Sequence, residues 1–223
     1  MANVSTMDTE AAVAQAIRMI EAGAEYVRFT AQGEREARNL GEIRKQLNEQ
    51  GYTTPLVADI HFNPRAADAA AGEVEKVRIN PGNYVDKVKT FSHLEYTDEE
   101  YAAEIEKIRE RFVPFLNICK AHGTAIRIGV NHGSLSDRIM SRYGDTPEGM
   151  VASCMEFLRI CREENFPDVV ISIKASNTVV MVRTVRLLVR TMEAENMHYP
   201  LHLGVTEAGD GEDGRIKSAV GIG

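Results

Sequence analysis

Short runs of alternating apolar and polar residues recur along the chain, and such runs are typical of β-strands that bury one face. Between them, apolar residues recur at helical spacing, with capping residues before them and glycines after them. The pattern predicts six strands, at residues 26–30, 56–59, 76–79, 124–130, 168–174 and 201–205. It predicts helices at residues 8–21, 34–50, 65–71, 98–121, 147–165 and 177–196, and the start of another after the last strand. Residues 81–94 form the one long connection in which no regular element is expected.

A helix between each strand and the next indicates parallel strands joined by right-handed crossovers, which is an α/β fold. A doubly wound sheet and a barrel both fit, but the central strands of a doubly wound sheet are apolar on both faces. Here Ile126 and Ile128 alternate with Arg127 and Asn131, and such polar inner faces suit the mouth of a barrel. We therefore predict an incomplete (β/α)8 TIM barrel, a single partial domain over residues 1–223. Its six parallel strands follow sequence order, and the first and eighth strands are missing.

The charge and cysteine content disfavour several classes of function. The 33 acidic and 26 basic residues give a net charge of −7, which argues against binding to nucleic acid or to an anionic membrane. No targeting or membrane-spanning segment is expected. Cys119, Cys154 and Cys161 are an odd number without CxxC spacing, so neither a disulfide framework nor a complete metal site is predicted. We expect a protein of the reducing cytoplasm.

Charged side chains fall near the ends of the predicted strands or just beyond them. They are Arg28, Asp59, His61, Arg78, Arg127, Lys174 and Glu207. The carboxyl ends of all strands of a barrel open on one face, so these residues are expected to line one cavity. Arginine suits phosphate because its guanidinium can donate two parallel hydrogen bonds to the oxygens. The four cations in this set predict a polyanionic ligand, with a diphosphate as the first choice.

Asp59 and His61 lie two residues apart and share a strand face. Together with His202 on another strand they could hold a divalent metal, but the chain has no HxH or HExxH pair that would support this interpretation. Acid–base catalysis or hydrogen bonding to a substrate is favoured for these groups, and no metal site is predicted.

The segment GDGEDGRIKS at residues 209–218 resembles a phosphate-binding P-loop. It carries Arg215 where that motif requires a lysine, so a P-loop is rejected. The backbone amides of this loop, with Lys217, remain a candidate phosphate site at the start of the following helix.

Six segments in order along the chain resemble the motifs of the hydroxymethylbutenyl diphosphate synthase family. They are ADIHF at 58–62, RINPGN at 78–83, IRIGVNHGSL at 126–135, SIKASN at 172–177, LGVTEAG at 203–209 and IKSAVGIG at 216–223. The resemblance implies a TIM barrel that binds methylerythritol cyclodiphosphate. It also implies reductive opening of the cyclic diphosphate with loss of water, using two electrons that ferredoxin or flavodoxin delivers through a [4Fe-4S] cluster.

The resemblance assigns roles residue by residue. It implies that the diphosphate is bound by Arg28, Arg78, Asn80, Arg127, Asn131 and Lys174. It implies catalytic roles for Asp59, His61 and Glu207, the last in protonation and dehydration. The cysteine motifs that hold the cluster have no match in this sequence, and the family places them in a separate C-terminal domain. We therefore expect no cluster in this chain, and substrate binding without turnover by these residues alone.

Two other functions stay open at this point. A pterin-binding barrel of the dihydropteroate synthase type shares the architecture and a diphosphate-bearing substrate, but it should not carry four strand-borne cations. A truncated gene product that serves only as a ligand-binding module is the other. Because an incomplete barrel exposes strand edges, we also expect association, with a homodimer as the simplest form.

Overall fold

The computed structural model describes residues 1–85 and 95–223. In these two ranges, strands and helices alternate along the chain. The strands are β1 (Val27–Thr30), β2 (Leu56–Asp59), β3 (Lys76–Ile79), β4 (Ala125–Asn131) and β5 (Val169–Lys174). The helices are α1 (Thr9–Glu21), α2 (Glu34–Glu49), α3 (Pro64–Ala71), α4 (Pro81–Tyr84), α5 (Asp98–His122), α6 (Asp137–Tyr143), α7 (Pro147–Glu163), α8 (Thr178–Ala194) and α9 (Gly211–Ile222). A short 3₁₀ helix, His132–Ser134, follows β4.

Capping side chains begin the helices where the sequence pattern predicts them. Asp8 accepts a hydrogen bond from the amide of Ala11 at 3.1 Å and so begins α1. Asn177 accepts from the amides of Val179 and Val180 at 2.9 and 3.1 Å at the start of α8. Because the first amides of a helix have no partner within it, these contacts satisfy groups that would otherwise need water.

The five strands form one sheet in the order β1-β2-β3-β4-β5. β1 pairs with β2, and β2 with β3, in parallel. In this register Asp59 lies beside Thr30 on one side and beside Arg78 on the other. The predictions of an α/β fold with a parallel sheet, and of strands in sequence order, are confirmed.

The sixth predicted strand, at residues 201–205, is not confirmed: the described residues form five strands. Leu201 makes only an isolated parallel bridge to Ile171, with the amide of His202 donating to the carbonyl of Ile171 at 2.7 Å. Leu203 is exposed. Alternating apolar residues indicate two faces, but a strand also needs a continuous hydrogen-bonded partner, which a single bridge does not provide. The completeness of the barrel stays a prediction.

Three short elements differ from expectation. The first part of the connection at residues 81–94 is helix α4, and residues 86–94 lie outside the described ranges. Helix α6 was not predicted, because seven residues give too little periodicity to detect. Helix α9 begins at Gly211, so Lys217 lies within the helix rather than at its start. The interpretation of Lys217 as part of a phosphate site at a helix start is therefore wrong.

The chain divides into two compact units. The first unit is Met1–Ile79 with Pro114–Arg127, and the second is Asn80–Val113 with Ile128–Gly223. In the first unit α2 packs against both α1 and α3. In the second, α7 packs against both α6 and α8, and α8 also packs against α9. Within the described ranges, no helix is long and apolar enough to cross a membrane.

Candidate functional site

A buried ion pair joins neighbouring strands of the first unit. Asp59 is the last residue of β2, and Arg78 is its register partner on β3. Nη1 of Arg78 donates a hydrogen bond to Oδ1 of Asp59 at 3.0 Å, and the two residues are only 3% and 4% exposed. Register partners of adjacent parallel strands project from the same face of the sheet, so the strand pairing itself produces this contact.

Two further side chains approach the same carboxylate. Nε of Arg28 on β1 lies 3.4 Å from Oδ2 of Asp59. Nε2 of His61, two residues beyond Asp59, lies 3.5 Å from Oδ1. Arg28 and His61 are both half-buried, whereas Asp59 is fully enclosed. One carboxylate therefore holds two guanidinium groups and one imidazole.

The electrostatic balance keeps Asp59 ionised. Burial alone would raise the pKa of the Asp59 carboxyl, but the positive charges of Arg78, Arg28 and Arg127 outweigh burial, so this pKa lies below its ordinary value. Burial lowers the pKa of His61, and Arg78 lowers it further although Asp59 opposes the change. Near neutral pH, Asp59 is therefore a carboxylate and His61 a neutral imidazole.

Arg127 adds a third guanidinium to this group. It lies on β4 and is 3% exposed. Burial lowers its pKa to about 10, and repulsion by Arg28 and Arg78 acts in the same direction while Asp59 opposes it. Burial also lowers the pKa of Arg78, with a smaller contribution from Arg28. We call Arg28, Arg78 and Arg127, with Asp59 and His61, the arginine cluster; a bound anion would stabilise its three positive charges.

Lys76, which neither the charge pattern nor the motifs single out, accompanies the arginine cluster. Lys76 lies two residues before Arg78 on β3, so it faces the same side of the sheet. Its Nζ lies 4.5 Å from the ring centroid of Tyr26, a cation–π distance. Burial lowers the pKa of Lys76, and Arg127 lowers it further. The two-residue spacing from Arg78 was the signal that could have revealed it.

In the second unit, Asn80 and Asn131 are linked through a serine. Nδ2 of Asn80 donates to Oγ of Ser134 at 2.9 Å, and Ser134 Oγ donates to the backbone carbonyl of Asn131 at 3.1 Å. Asn80 is buried and also caps α4, and Asn131 ends β4. The family motifs imply binding roles for both asparagines and none for Ser134, although Ser134 lies in the motif that contains Asn131.

Lys174 and Glu207 also belong to the second unit. Lys174 is the last residue of β5, and a Cβ built on Gly204 would lie 3.3 Å from its Cε. Glu207 is exposed in the loop before α9, with a φ of 53°. The prediction that Lys174 shares a cavity with the three arginines stays a prediction, and so does a catalytic role for Glu207.

A family model described as the GcpE TIM-barrel domain matches residues 1–223. The chain belongs to the GcpE TIM-barrel family. It is 77% identical to the 4-hydroxy-3-methylbut-2-en-1-yl diphosphate synthase (flavodoxin) of Phocaeicola vulgatus, and 75% and 65% identical to those of Bacteroides thetaiotaomicron and Porphyromonas gingivalis. Each match covers 100% of this chain but only 36%, 36% and 38% of the relative. The chain thus spans about a third of the length of the curated relatives it matches.

Membership in the GcpE family confirms the resemblance described from the motifs and removes the pterin-binding alternative. All six motif segments lie inside the matched region. The family match names a barrel domain, and the alternating inner faces led to the same architecture.

The cysteines of this GcpE chain do not fit the iron–sulfur cluster that the resemblance implies. Cys119, Cys154 and Cys161 are all buried. Burial raises the pKa of Cys119 to about 12, with a further contribution from Asp68, and burial also raises that of Cys154. Cluster ligands are thiolates gathered at one place. In the described ranges, no group of three or more His, Cys, Asp or Glu side chains could hold a metal ion.

Proposed function

We propose that residues 1–223 are the substrate-binding barrel of a hydroxymethylbutenyl diphosphate synthase, and that this barrel binds methylerythritol cyclodiphosphate through the arginine cluster. The observation that carries the proposal is the set of Arg28, Arg78 and Arg127 on strands β1, β3 and β4: Arg28 and Arg78 contact the carboxylate of Asp59, and the positive charges of all three lower its pKa. The names of the relatives, each a 4-hydroxy-3-methylbut-2-en-1-yl diphosphate synthase, support the choice of reaction.

The charges of the arginine cluster support an anionic ligand. The positive charges of Arg28, Arg78 and Arg127 all act on the carboxylate of Asp59, and burial lowers the pKa of Arg78 and that of Arg127, the latter to about 10. A phosphate oxygen can accept two hydrogen bonds from one guanidinium, and each charge-assisted bond contributes about 1.5–3 kcal/mol. Asp59 holds Arg28 and Arg78 in place before the ligand arrives, which lowers the ordering cost of binding.

We assign the remaining residues, except Asp59, as the resemblance implies. Asn80, Asn131 and Lys174 donate hydrogen bonds to the diphosphate. Glu207 is the proton donor in the loss of water. Neutral His61 forms a hydrogen bond to the substrate and can pass on a proton. Asp59, a carboxylate at neutral pH, orients the arginines instead of transferring a proton.

Ring opening needs two electrons, and amino acid side chains do not supply them. We propose flavodoxin or ferredoxin as their source; the names of the relatives specify flavodoxin. Because the described cysteines do not fit the cluster, the part of the reaction assigned to this chain is to bind, orient and protonate the substrate. Cytoplasmic location and a homodimer stay predictions, and light scattering tests the second.

Calorimetry with methylerythritol cyclodiphosphate tests the proposal on the 223-residue chain. Arg127→Ala should weaken binding by about tenfold to a hundredfold, as expected for a lost charge-assisted hydrogen bond. Arg183→Ala is the matched control, because Arg183 is exposed on α8. Absence of binding by the unmodified chain, or equal affinity of the two variants, would contradict the proposal.

An anaerobic assay with dithionite tests whether this chain binds the substrate but does not supply the electrons for its reduction. The 223-residue chain should bind the cyclodiphosphate without forming product, even after incubation with iron and sulfide. Reductive product formation together with a stoichiometric cluster spectrum from these residues would overturn it.

A further inference from the structure

Ser134 links two asparagines of the second unit, Asn80 and Asn131. It closes the 3₁₀ helix after β4, and its hydroxyl contacts both Asn80, which follows β3, and Asn131, which ends β4. Its Oγ also lies 3.3 Å from Oδ1 of Asn80. A hydroxyl carries a single proton, and the carbonyl of Asn131 at 3.1 Å is the closer acceptor. Ser134 therefore donates to Asn131 and accepts from Asn80.

These contacts determine which way the Asn80 amide faces. Its Oδ1 accepts from the amide of Gly82 at 3.3 Å, and one of its two N–H bonds is directed to Ser134. A rotation of the amide by half a turn would place its oxygen where the nitrogen now donates to Ser134, and both hydrogen bonds would be lost. Among the described residues, the second N–H of Asn80 has no hydrogen-bond acceptor.

The backbone around Ser134 is held from both sides. A Cβ on Gly82 would overlap the carbonyl oxygen of Ser134, so the two connections are in direct backbone contact. Beyond Ser134, the hydroxyl of Ser136 accepts from the amide of Ile139 and caps α6. The hydroxyl of Ser134 is thus held in a fixed position, and its hydrogen bond can orient the Asn80 amide.

We propose that Ser134 is a positioning residue that holds the Asn80 amide with its second N–H directed to a phosphate oxygen of the substrate. The inference rests on the proposed function, because it takes the ligand of Asn80 to be the diphosphate. Without the Ser134 hydroxyl, the amide rotates more freely, and in half of its orientations it presents an oxygen instead of a donor to the anion. Ser134 then contributes to affinity without touching the ligand.

Calorimetry with the cyclodiphosphate on the 223-residue chain tests the inference. Ser134→Ala should weaken binding by about five- to tenfold, the range expected for one hydrogen bond. Ser134→Thr keeps the hydroxyl and should bind nearly as the unmodified chain does. Ser136→Ala is the matched control: among the described residues, the hydroxyl that it removes contacts only the amide of Ile139 at the start of α6, so the variant should lower stability and leave affinity unchanged.

A double-mutant cycle separates positioning from an independent effect. If Ser134 acts through Asn80, Ser134→Ala should cause no further loss in a chain that already carries Asn80→Ala. Affinity losses that multiply in the double variant, or equal losses for Ser134→Ala and Ser134→Thr, overturn the inference and leave the proposed function in place. Absence of cyclodiphosphate binding by the unmodified chain overturns both.

Discussion

Asp59 on β2 and Arg78 on β3 are register partners whose side chains meet in a hydrogen bond of 3.0 Å, buried from water. Arg28 reaches the same carboxylate from β1 at 3.4 Å. The negative charge of Asp59 acts on Arg28, Arg78 and Arg127, so it reduces their mutual repulsion, and it holds the first two in position. Its removal should therefore affect stability as well as ligand binding.

Asp59→Asn should lower the free energy of unfolding by about 3–5 kcal/mol, because loss of one member of a buried ion pair leaves the other charge uncompensated. The control is Asp98→Asn, which breaks the contact with Arg142 at a carboxylate that is 90% exposed. Exposed pairs contribute at most about 1 kcal/mol. Urea unfolding measures both variants, and similar losses for the two would contradict the role of Asp59 as a buried counter-ion.

The lowered pKa of His61 predicts how the free energy of unfolding depends on pH. Its pKa in the folded chain lies below 6.5, so the unfolded chain takes up a proton first as the pH falls. Stability is therefore lost below about pH 6.5, and this loss should be smaller in His61→Gln. The carboxylate of Asp59 does not interfere, because its lowered pKa makes its contribution disappear only below pH 3.8. Midpoints of urea unfolding, measured between about pH 7.5 and pH 5.5, test this prediction. The same change of midpoint with pH in the unmodified chain and in His61→Gln would contradict it.

A second buried ion pair joins α6 to α7. Arg138 contacts Glu156 at 2.6 Å, and the hydroxyl of Tyr101 also donates to Glu156. Burial raises the pKa of Tyr101, and the charge of Glu156 raises it further, so the phenol stays protonated. Glu156→Gln should lower the free energy of unfolding by about 3–5 kcal/mol.

The control for that variant is Glu195→Gln, since Glu195 forms a partly exposed pair with Arg159 and should contribute at most about 1 kcal/mol. Replacing both Arg138 and Glu156 by methionine should restore most of the stability, because a buried pair can be exchanged for apolar side chains at little net cost. Equal unfolding free energies for Glu156→Gln and Glu195→Gln would show that burial of the pair is unimportant.

The close approach of Gly82 to Ser134 predicts that even a methyl group is not tolerated there. Gly82→Ala places a Cβ against the carbonyl oxygen of Ser134, and it should lower stability by about 1–3 kcal/mol and weaken cyclodiphosphate binding. Gly133→Ala is the control, because a Cβ at that position meets nothing within 4 Å. Denaturation and calorimetry measure the two effects, and equal behaviour of the two variants would contradict the prediction.

The buried cysteines should be chemically inert in the folded chain. Burial raises the pKa of Cys119 to about 12, so its thiolate is scarce at neutral pH, and Cys154 and Cys161 are equally enclosed. A thiol reagent such as dithiobisnitrobenzoate should label the native chain far more slowly than the chain in denaturant, where all three react. Rapid labelling of any cysteine in the native chain would contradict this assignment.

Local pattern was sufficient for most of the elements. β2 and β3 have the predicted bounds, and α1, α2 and α8 begin or end within two residues of prediction, because caps and periodicity are properties of neighbouring residues. The segment at residues 201–205 shows where this reasoning stops. It has the alternation of a strand, but whether it forms one depends on backbone partners that lie far away in sequence.

The candidate site, too, could be predicted from the sequence only in part. The sequence by itself determined that Arg28, Asp59, Arg78 and Arg127 lie on parallel strands, and its motifs identified the family. Only the tertiary structure decided that Asp59 is the carboxylate held by Arg28 and Arg78, because the strand register brings these charges together. It also decided the role of Ser134, a residue that no spacing rule selects. Hydrogen-bond partners depend on distances of tenths of an ångström, and such distances arise only when strands and loops pack together.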